Sequence, residues 1–439
     1  MKALLPITVC ALLVFAVSAS AETIRVDLGG AGDYLTIQQG LDAASHGDTV
    51  LVAAGTYVGP GNRGLRFYGR RIYLASESGA DNTIIDCQQS GRAFIFTGNE
   101  TYDSVVEQFT IRNGYAPADI ADDGWGGAIF FSSSAPLILG CVFEDNHADF
   151  GGALYCGISS MPWLIACEFN NNTATYYGGA VYTYGSQARI EKTDFHSNEA
   201  TISGGAICCK TGSTAIIWDC DFVENNAADG GGVYIGTFIS EDVEPEYASE
   251  VWGCRFTRNT AERGAGLFIN GFTWVSTRQC VYEYNVAQSF GGAIYALTDY
   301  SRSLSVDSCT LVYNEAGEYG GGIYAAGTYG FGMEITRTII AFSPHGDAVH
   351  KEDYSSAIIR YCVAYGNERG NDLEGTHNYE EDPLFCDVTE GDYRLCENSI
   401  CLEENHPYGW WVGYTQHSCP PCSSPVEQTT WGAIKAIYR

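Results

Sequence analysis

A pentapeptide, Gly-Gly-Ala/Gly-aliphatic-aromatic, returns about every 26 residues along this chain, and no other sequence feature narrows the fold so far. Copies or close variants start at Gly126, Gly151, Gly178, Gly204, Gly230, Gly264, Gly291 and Gly320, with a degraded copy at Gly346. Interleaved with them is Phe-x-x-Asn, ending at Asn146, Asn172, Asn198, Asn225 and Asn259, with Tyr or Leu replacing Phe before Asn285 and Asn314. The asparagine spacings are 26, 26, 27, 34, 26 and 29 residues, and the long interval contains the acidic stretch 238–249, which reads as a loop inserted into one repeat. Alanine follows two residues after each of these asparagines. Five residues before them stands Cys141, Cys167, Cys220, Cys254, Cys280 or Cys309, with Thr193 the exception. Eight residues before lies an apolar column, Ile138, Leu164, Ile190, Ile217, Val251 and Val306, broken by Thr277.

Side chains alternate faces along a strand, so inward positions on one strand share parity. Here the inward set changes parity between eight and five residues before the asparagine, so the two intervening positions, such as Glu191 and Lys192, both face out and mark a corner. The Gly-Gly segment adds a third strand. Three short strands per turn and no helix close most naturally as an all-β, single-stranded right-handed parallel β-helix. The 52 glycines and only 17% charged residues agree with turns rather than helical bundles. Coils stacked about 4.8 Å apart turn like residues into ladders, and Asn146, Asn172, Asn198, Asn225, Asn259, Asn285 and Asn314 are expected to bond up and down such a stack. The chain holds roughly a dozen coils at this repeat. Ile37, Leu41 and Ala44 recur at helical spacing, predicting a short amphipathic N-terminal cap over Leu35–Ala44.

Lys2, the apolar run Leu4–Val17 and Ala19-Ser20-Ala21 read as a secretory signal peptide over residues 1–21. The β-helix is expected over 22–380, with its clear repeats at 125–367, followed by a Cys-rich C-terminal cap at 381–424 and a short tail at 425–439. A secreted or cell-surface location follows, and no later segment is apolar and long enough to cross a membrane. Net charge is −30, which disfavours nucleic acid and anionic membrane surfaces as partners. In an exported chain Cys386, Cys396, Cys401, Cys419 and Cys422 are disulfide candidates whose connectivity spacing does not give. The ladder cysteines read as small buried hydrophobes, since one sulfur per coil cannot wrap an ion tetrahedrally.

The paired GGA[ILV] and FxxN motifs resemble the repeats of chlamydial polymorphic outer membrane proteins from about Trp125 to Asn367. The opening segment, Asp33 to Gln38 followed by Gly47 to Val52 and Gly55-Thr56-Tyr57, is similar to the first coil of pectin-lyase-like β-helix proteins. That resemblance implies a secreted or surface-displayed β-helix, adhesive in the chlamydial case. No alternating strands long enough for an outer-membrane barrel follow the repeats, so self-translocation by that route is not expected.

Two columns carry the candidate chemistry. The fifth position of the Gly-Gly motif faces outward if the fourth faces in, exposing Phe130, Tyr155, Tyr182, Tyr234, Phe268, Tyr295 and Tyr324 as a track on which sugar rings could stack. Four residues before the asparagine, Glu168, Asp194, Asp221 and Arg255 fall on successive coils, with Lys192 and Asp219 in the neighbouring outward column. Glu168, Asp194 and Asp221 are the candidate calcium ligands, and Asp194, Asp221, Lys192 and Arg255 the candidate catalytic groups. This arrangement is similar in kind to that of β-helix polysaccharide lyases, without their family-specific motif. The preferred reading is a non-catalytic, adhesin-like protein binding polysaccharide or a surface protein. A calcium-dependent polysaccharide lyase or glycoside hydrolase is the alternative.

Overall fold

The computed structural model describes residues 21–422 apart from 117–123, 238–247, 272–273, 300–302, 329–330, 353–354, 372 and 416. Residues 1–20 of the expected signal peptide, 238–247 of the expected inserted loop and the 425–439 tail thus lie outside the described residues. No helix among the described residues is long and apolar enough to cross a membrane.

One coil shows how the repeat becomes structure. Leu137–Leu139 joins sheet A, Val142–Glu144 joins sheet B, His147–Phe150 joins sheet D and Leu154–Cys156 joins sheet C. Every strand pairs in parallel with its counterpart one coil away, giving sheets of 13, 12, 8 and 10 strands respectively, or about 13 turns. There are therefore four strands per full coil where the parity argument expects three. The extra one is short, two to five residues, and is pinched between the asparagine bend and the Gly-Gly bend. Its inward residue is the column alanine, and Ala174, Ala200 and Ala227 pack there as a cluster of their own.

The corners need left-handed backbone. Lys192 (φ 50°) and Asp219 (φ 53°) turn the chain from sheet A to sheet B, and Ser197 (φ 53°) and Glu224 (φ 57°) turn it from sheet B to sheet D. The second position of the pentapeptide is glycine in seven of the eight clear copies, Ala265 being the exception, for a different reason. A Cβ on Gly179 would sit 2.1 Å from the Gly205 carbonyl oxygen of the next coil, so at that rung a bare Cα lets the coils close to strand spacing.

Inside, the columns stand in file. The phenylalanines stack face to face, with centroids 4.7 Å apart for Phe143–Phe169, 4.9 Å for Phe169–Phe195 and for Phe195–Phe222, and 4.7 Å for Phe222–Phe256. Tyr282 continues the stack 4.5 Å from Phe256, and its buried hydroxyl is satisfied by Thr277 Oγ1 at 2.8 Å. Thr277, which breaks the aliphatic column, and Tyr282, which replaces phenylalanine, are thus each other's partner. The asparagines form the expected ladder: Asn172 donates from both its backbone N and its Nδ2 to Asn198 Oδ1, each at 3.0 Å, and from Nδ2 to Phe143 O at 2.9 Å. The same pattern runs to Asn314. The ladder cysteines are buried and free. Cys167 Sγ donates to Ile138 O and Ile165 O at 3.6 and 3.5 Å, and burial pushes the Cys141 thiol up to about 12.

At the N-terminus, helix α1 (Ile37–Ala43) starts with a capping box between Thr36 and Gln39 and buries Ile37, Gly40 and Leu41 against the first coil. At the other end, Phe385–Asp387, Asp392–Cys396 and Ser418–Cys419 form a small sheet closed by disulfides Cys386–Cys419 and Cys396–Cys422. Cys401, expected among the disulfide cysteines, is instead a buried free thiol packed beside Phe385, Leu395 and Leu402. This cap does more than cover an end. It lies along the outer face of sheet B, where Phe385, Tyr393 and Val412 share one apolar cluster with Val281, Val312, Ile339 and Val363.

Candidate binding faces

Glu168, Asp194, Asp221 and Arg255 are register partners on adjacent strands of sheet B, so the acidic column exists as read. Its neighbour on the same face runs Asn170, His196, Val223, Thr257 and Glu283, and there the column meets the cap. Partial desolvation raises the carboxyl of Asp194, and the Asp221 and Glu168 charges add to the rise while His196 opposes it. Asp221 reaches solvent, yet protein atoms crowding its carboxyl raise it too, with Arg255 and His196 opposing. Arg255, the basic member, is already engaged: its Nη1 donates to Oε1 of buried Glu283 at 2.8 Å, and Glu283 also accepts from Thr257 Oγ1 at 2.8 Å and from Tyr393 Oη. Lys192 lies at the exposed corner. Glu168, Asp194 and Asp221, the candidate calcium ligands, stand on three successive rungs and do not bring one carboxylate oxygen each within 4.8 Å of one another, so the structure does not gather them around one ion. Among the described residues that closeness is met in the cap, where one sulfur each from Cys386, Cys396 and Cys419 lie within 4.8 Å of one another. With both disulfides closed these sulfurs carry no thiolate for a metal.

The aromatic column also points away from the lumen, but it is not exposed. Tyr155, Tyr182, Tyr234, Phe268, Tyr295 and Tyr324 are buried in a second hydrophobic cluster on the outer face of sheet C, between 1% and 7% accessible. The cover comes from residues just before the Gly-Gly bends, Phe150, Tyr177 and Phe290, which fold back over the rings. Arg263 covers others, lying 5.4 Å over Phe268 and 5.7 Å over Tyr295. Tyr234, Phe268, Tyr295 and Tyr324 therefore serve as packing, with stacked neighbours at 4.6 to 5.1 Å. At the N-terminal end of the column the cover opens. A cavity of about 390 Å³ is lined there by Trp125, Phe130, Phe150, Tyr155, Tyr182 and Tyr184 among others. Trp125 stacks on Tyr155 at 5.0 Å with its rim exposed, and Tyr184 and Ile158 form the opposite lip.

A third aromatic group lies on the outer face of sheet A: Trp163, Trp218 and Trp252, with Trp218 and Trp252 as register partners. Each flanks an inward residue, Leu164, Ile217 or Val251, so the same parity rule marks them as outward-facing in the sequence.

A right-handed parallel β-helix with one long wall partly covered by its own cap is what these features define. The chain belongs to the right handed beta helix region family, which matches residues 101–330. No curated protein sequence matches the chain. Among solved structures it is similar to the pectate lyase Pel9A, at TM-score 0.38 and 10% identity over 91% of this chain and 97% of that one. It is also similar to the Yersinia enterocolitica family 28 exopolygalacturonase, at TM-score 0.37 and 9% identity over 83% of this chain and 78% of that one.

Proposed function

We propose that this is an exported, adhesin-like β-helix that binds carbohydrate on its wall without transforming it. The observation that carries the reading is the aromatic cavity at Trp125, Phe130, Tyr155, Tyr182 and Tyr184. It is a concave site of about 390 Å³ walled by rings, the geometry that takes a sugar ring by its apolar face. Two disulfides in the cap support an oxidising compartment. The likeness of the repeats to those of chlamydial surface proteins supports display outside the cell. Binding is favoured over catalysis because the column's arginine is held in an internal pair with Glu283, leaving no unengaged cationic side chain among the register partners of Asp194 and Asp221.

A glycan array probed with the full chain and with Trp125→Ala tests the reading. Retention of oligosaccharides by the parent chain, lost at least tenfold in the variant, is the expected result. Equal signals from both would remove the cavity as the site. The enzyme alternative has its own assay: polygalacturonate incubated with the protein and calcium, followed for unsaturated product in the ultraviolet. Product that disappears with Asp194→Ala would establish a lyase instead.

A further inference from the structure

On a different sheet from that cavity, we propose that sheet A holds a separate site for a small zwitterion, its cationic end against Trp218, Trp252 and Glu250 and its anionic end on Arg278. The site is a cavity of about 180 Å³ lined by Trp218, Glu250, Val251, Trp252, Ser276 and Arg278. That is below the usual range of about 300 Å³ and more for drug-sized ligands, so its occupant is a compact head group rather than an oligosaccharide.

Register fixes the layout. Glu250 faces Ser276, and Trp252 faces Arg278, across one pair of rungs, while Trp218 sits beside Trp252 on the rung before. The two indoles meet at 83° with centroids 6.0 Å apart, forming an apolar corner. Trp252 Nε1 donates to Gln279 Oε1 at 2.7 Å, which fixes that ring. Two polar atoms of the lining are buried with no hydrogen-bond partner among the described residues: Trp218 Nε1 and Ser276 Oγ. Buried groups of this kind cost free energy unless something meets them, and both can donate to an anion. The Arg278 and Glu250 side chains are exposed at the rim, and neither has an ion pair among the described residues.

The neighbouring slot on the same sheet shows how such a notch is used. There the guanidinium of Arg189 lies 4.5 Å over Trp163 and 4.9 Å from the ring centre of Trp218, and its Nε donates to Glu191. An organic cation between indoles, with a carboxylate at its side, is thus already realised once by the chain itself. Ile216, Glu250 and Ser276 follow Arg189 in the same column on successive rungs, and the notch opens as the cavity at Glu250 and Ser276. Glu250 supplies the carboxylate, and an external cation completes the pattern. Arg278, Ser276 Oγ–H and Trp218 Nε1–H supply donors for a phosphate or carboxylate on the same molecule. The inference stands apart from the carbohydrate reading, since it uses a different face and different residues.

Calorimetric titration of the full chain with phosphocholine, choline and inorganic phosphate tests it. The expected result is phosphocholine binding at least tenfold tighter than either half. Arg278→Gln should bring phosphocholine down to the level of choline, and Glu250→Gln should bring it to the level of phosphate, with thermal midpoints unchanged because both side chains are exposed. Co-sedimentation with phosphatidylcholine vesicles, competed by free phosphocholine, would make the source a lipid head group. Binding of phosphocholine without co-sedimentation would make it a soluble or polymer-borne one. Phosphocholine binding no tighter than choline or phosphate to the parent chain would overturn the proposal whatever the variants do, as would Arg278→Gln that folds and binds unchanged.

Discussion

Replacing Asn198 by alanine should be far more damaging than its small volume suggests. Asn198 is fully buried, and its Oδ1 accepts from Asn172 N and Asn172 Nδ2 while its Nδ2 donates to Phe169 O at 2.9 Å and Asn225 Oδ1 at 3.0 Å. Truncation removes all four bonds. Asn225 Oδ1 keeps the Asn198 backbone N–H and Asn172 Nδ2 keeps Phe143 O, but three hydrogen-bonding positions lose a buried partner: Asn172 N–H, the second Nδ2 hydrogen of Asn172, and Phe169 O. At about 1–3 kcal/mol for each, with some recovery from water entering the gap, the loss is about 3–6 kcal/mol. Exposed Glu199→Ala on the adjoining strand should stay within about 0.5 kcal/mol. Because solenoid rungs are held mainly by their neighbours, the damage should be local as well as global. Urea melts followed by circular dichroism give the first quantity, and hydrogen exchange at the Asn172 backbone amide gives the second. A variant that melts within 0.5 kcal/mol of the parent ( roughly the surface range) with the Asn172 amide still protected would refute the ladder argument.

Three further outcomes follow from the same geometry. The raised carboxyl of Asp194 means the native state holds its proton more tightly than the unfolded chain, so its contribution to stability falls as pH rises through the folded value. Asp194→Asn should therefore stabilise at pH 7, by under about 1 kcal/mol given solvent screening, with the gain vanishing below about pH 4, as thermal melts across pH would show. Tyr393→Phe removes the cap's hydrogen bond to buried Glu283 and should cost about 1–3 kcal/mol, read as earlier proteolysis of the cap while the solenoid's circular dichroism persists. Replacing Cys386 and Cys419 by serine opens a disulfide spanning 33 residues and should destabilise the cap by about 3 kcal/mol. Mass spectrometry of the fragments would place the new cleavage sites after residue 380.

The solenoid was readable because its columns are made of residues with few other uses. Asparagine, cysteine and glycine recur at fixed offsets only where a buried amide, a tight corner and a close rung demand them. The acidic column followed from the same register. The fourth strand was not readable, because its core is a two-residue Asn-x-Ala step too short to show a period. The aromatic column was read with the correct parity and the wrong environment. Parity says which way Tyr182 points from the lumen, but only the position before the Gly-Gly, aromatic in five of the eight clear copies at Trp125, Phe150, Tyr177, Phe290 and Tyr319, tells what lies over it. That recurring aromatic was the missed signal. Trp218 and Trp252 stand in the outward column of Glu191 and Arg278, and their pocket depends on Glu250 beside Trp252 and on Ser276 from the next rung. The cap's path along sheet B had a trace too, in the apolar outward residues Val281, Ile339 and Val363.

Both binding faces and the acidic column depend on rungs stacking without slippage, and one distance measures that. Glu199 and Glu315 are 116 residues apart in sequence but four rungs apart in one file, through Asn226, Thr260 and Val286. Nitroxide labels on cysteines introduced at these two positions should give a narrow dipolar distance distribution centred near 19 Å, four steps of about 4.8 Å. A broad distribution, or a peak displaced by a rung or more, would contradict the register and with it each site assigned to the wall.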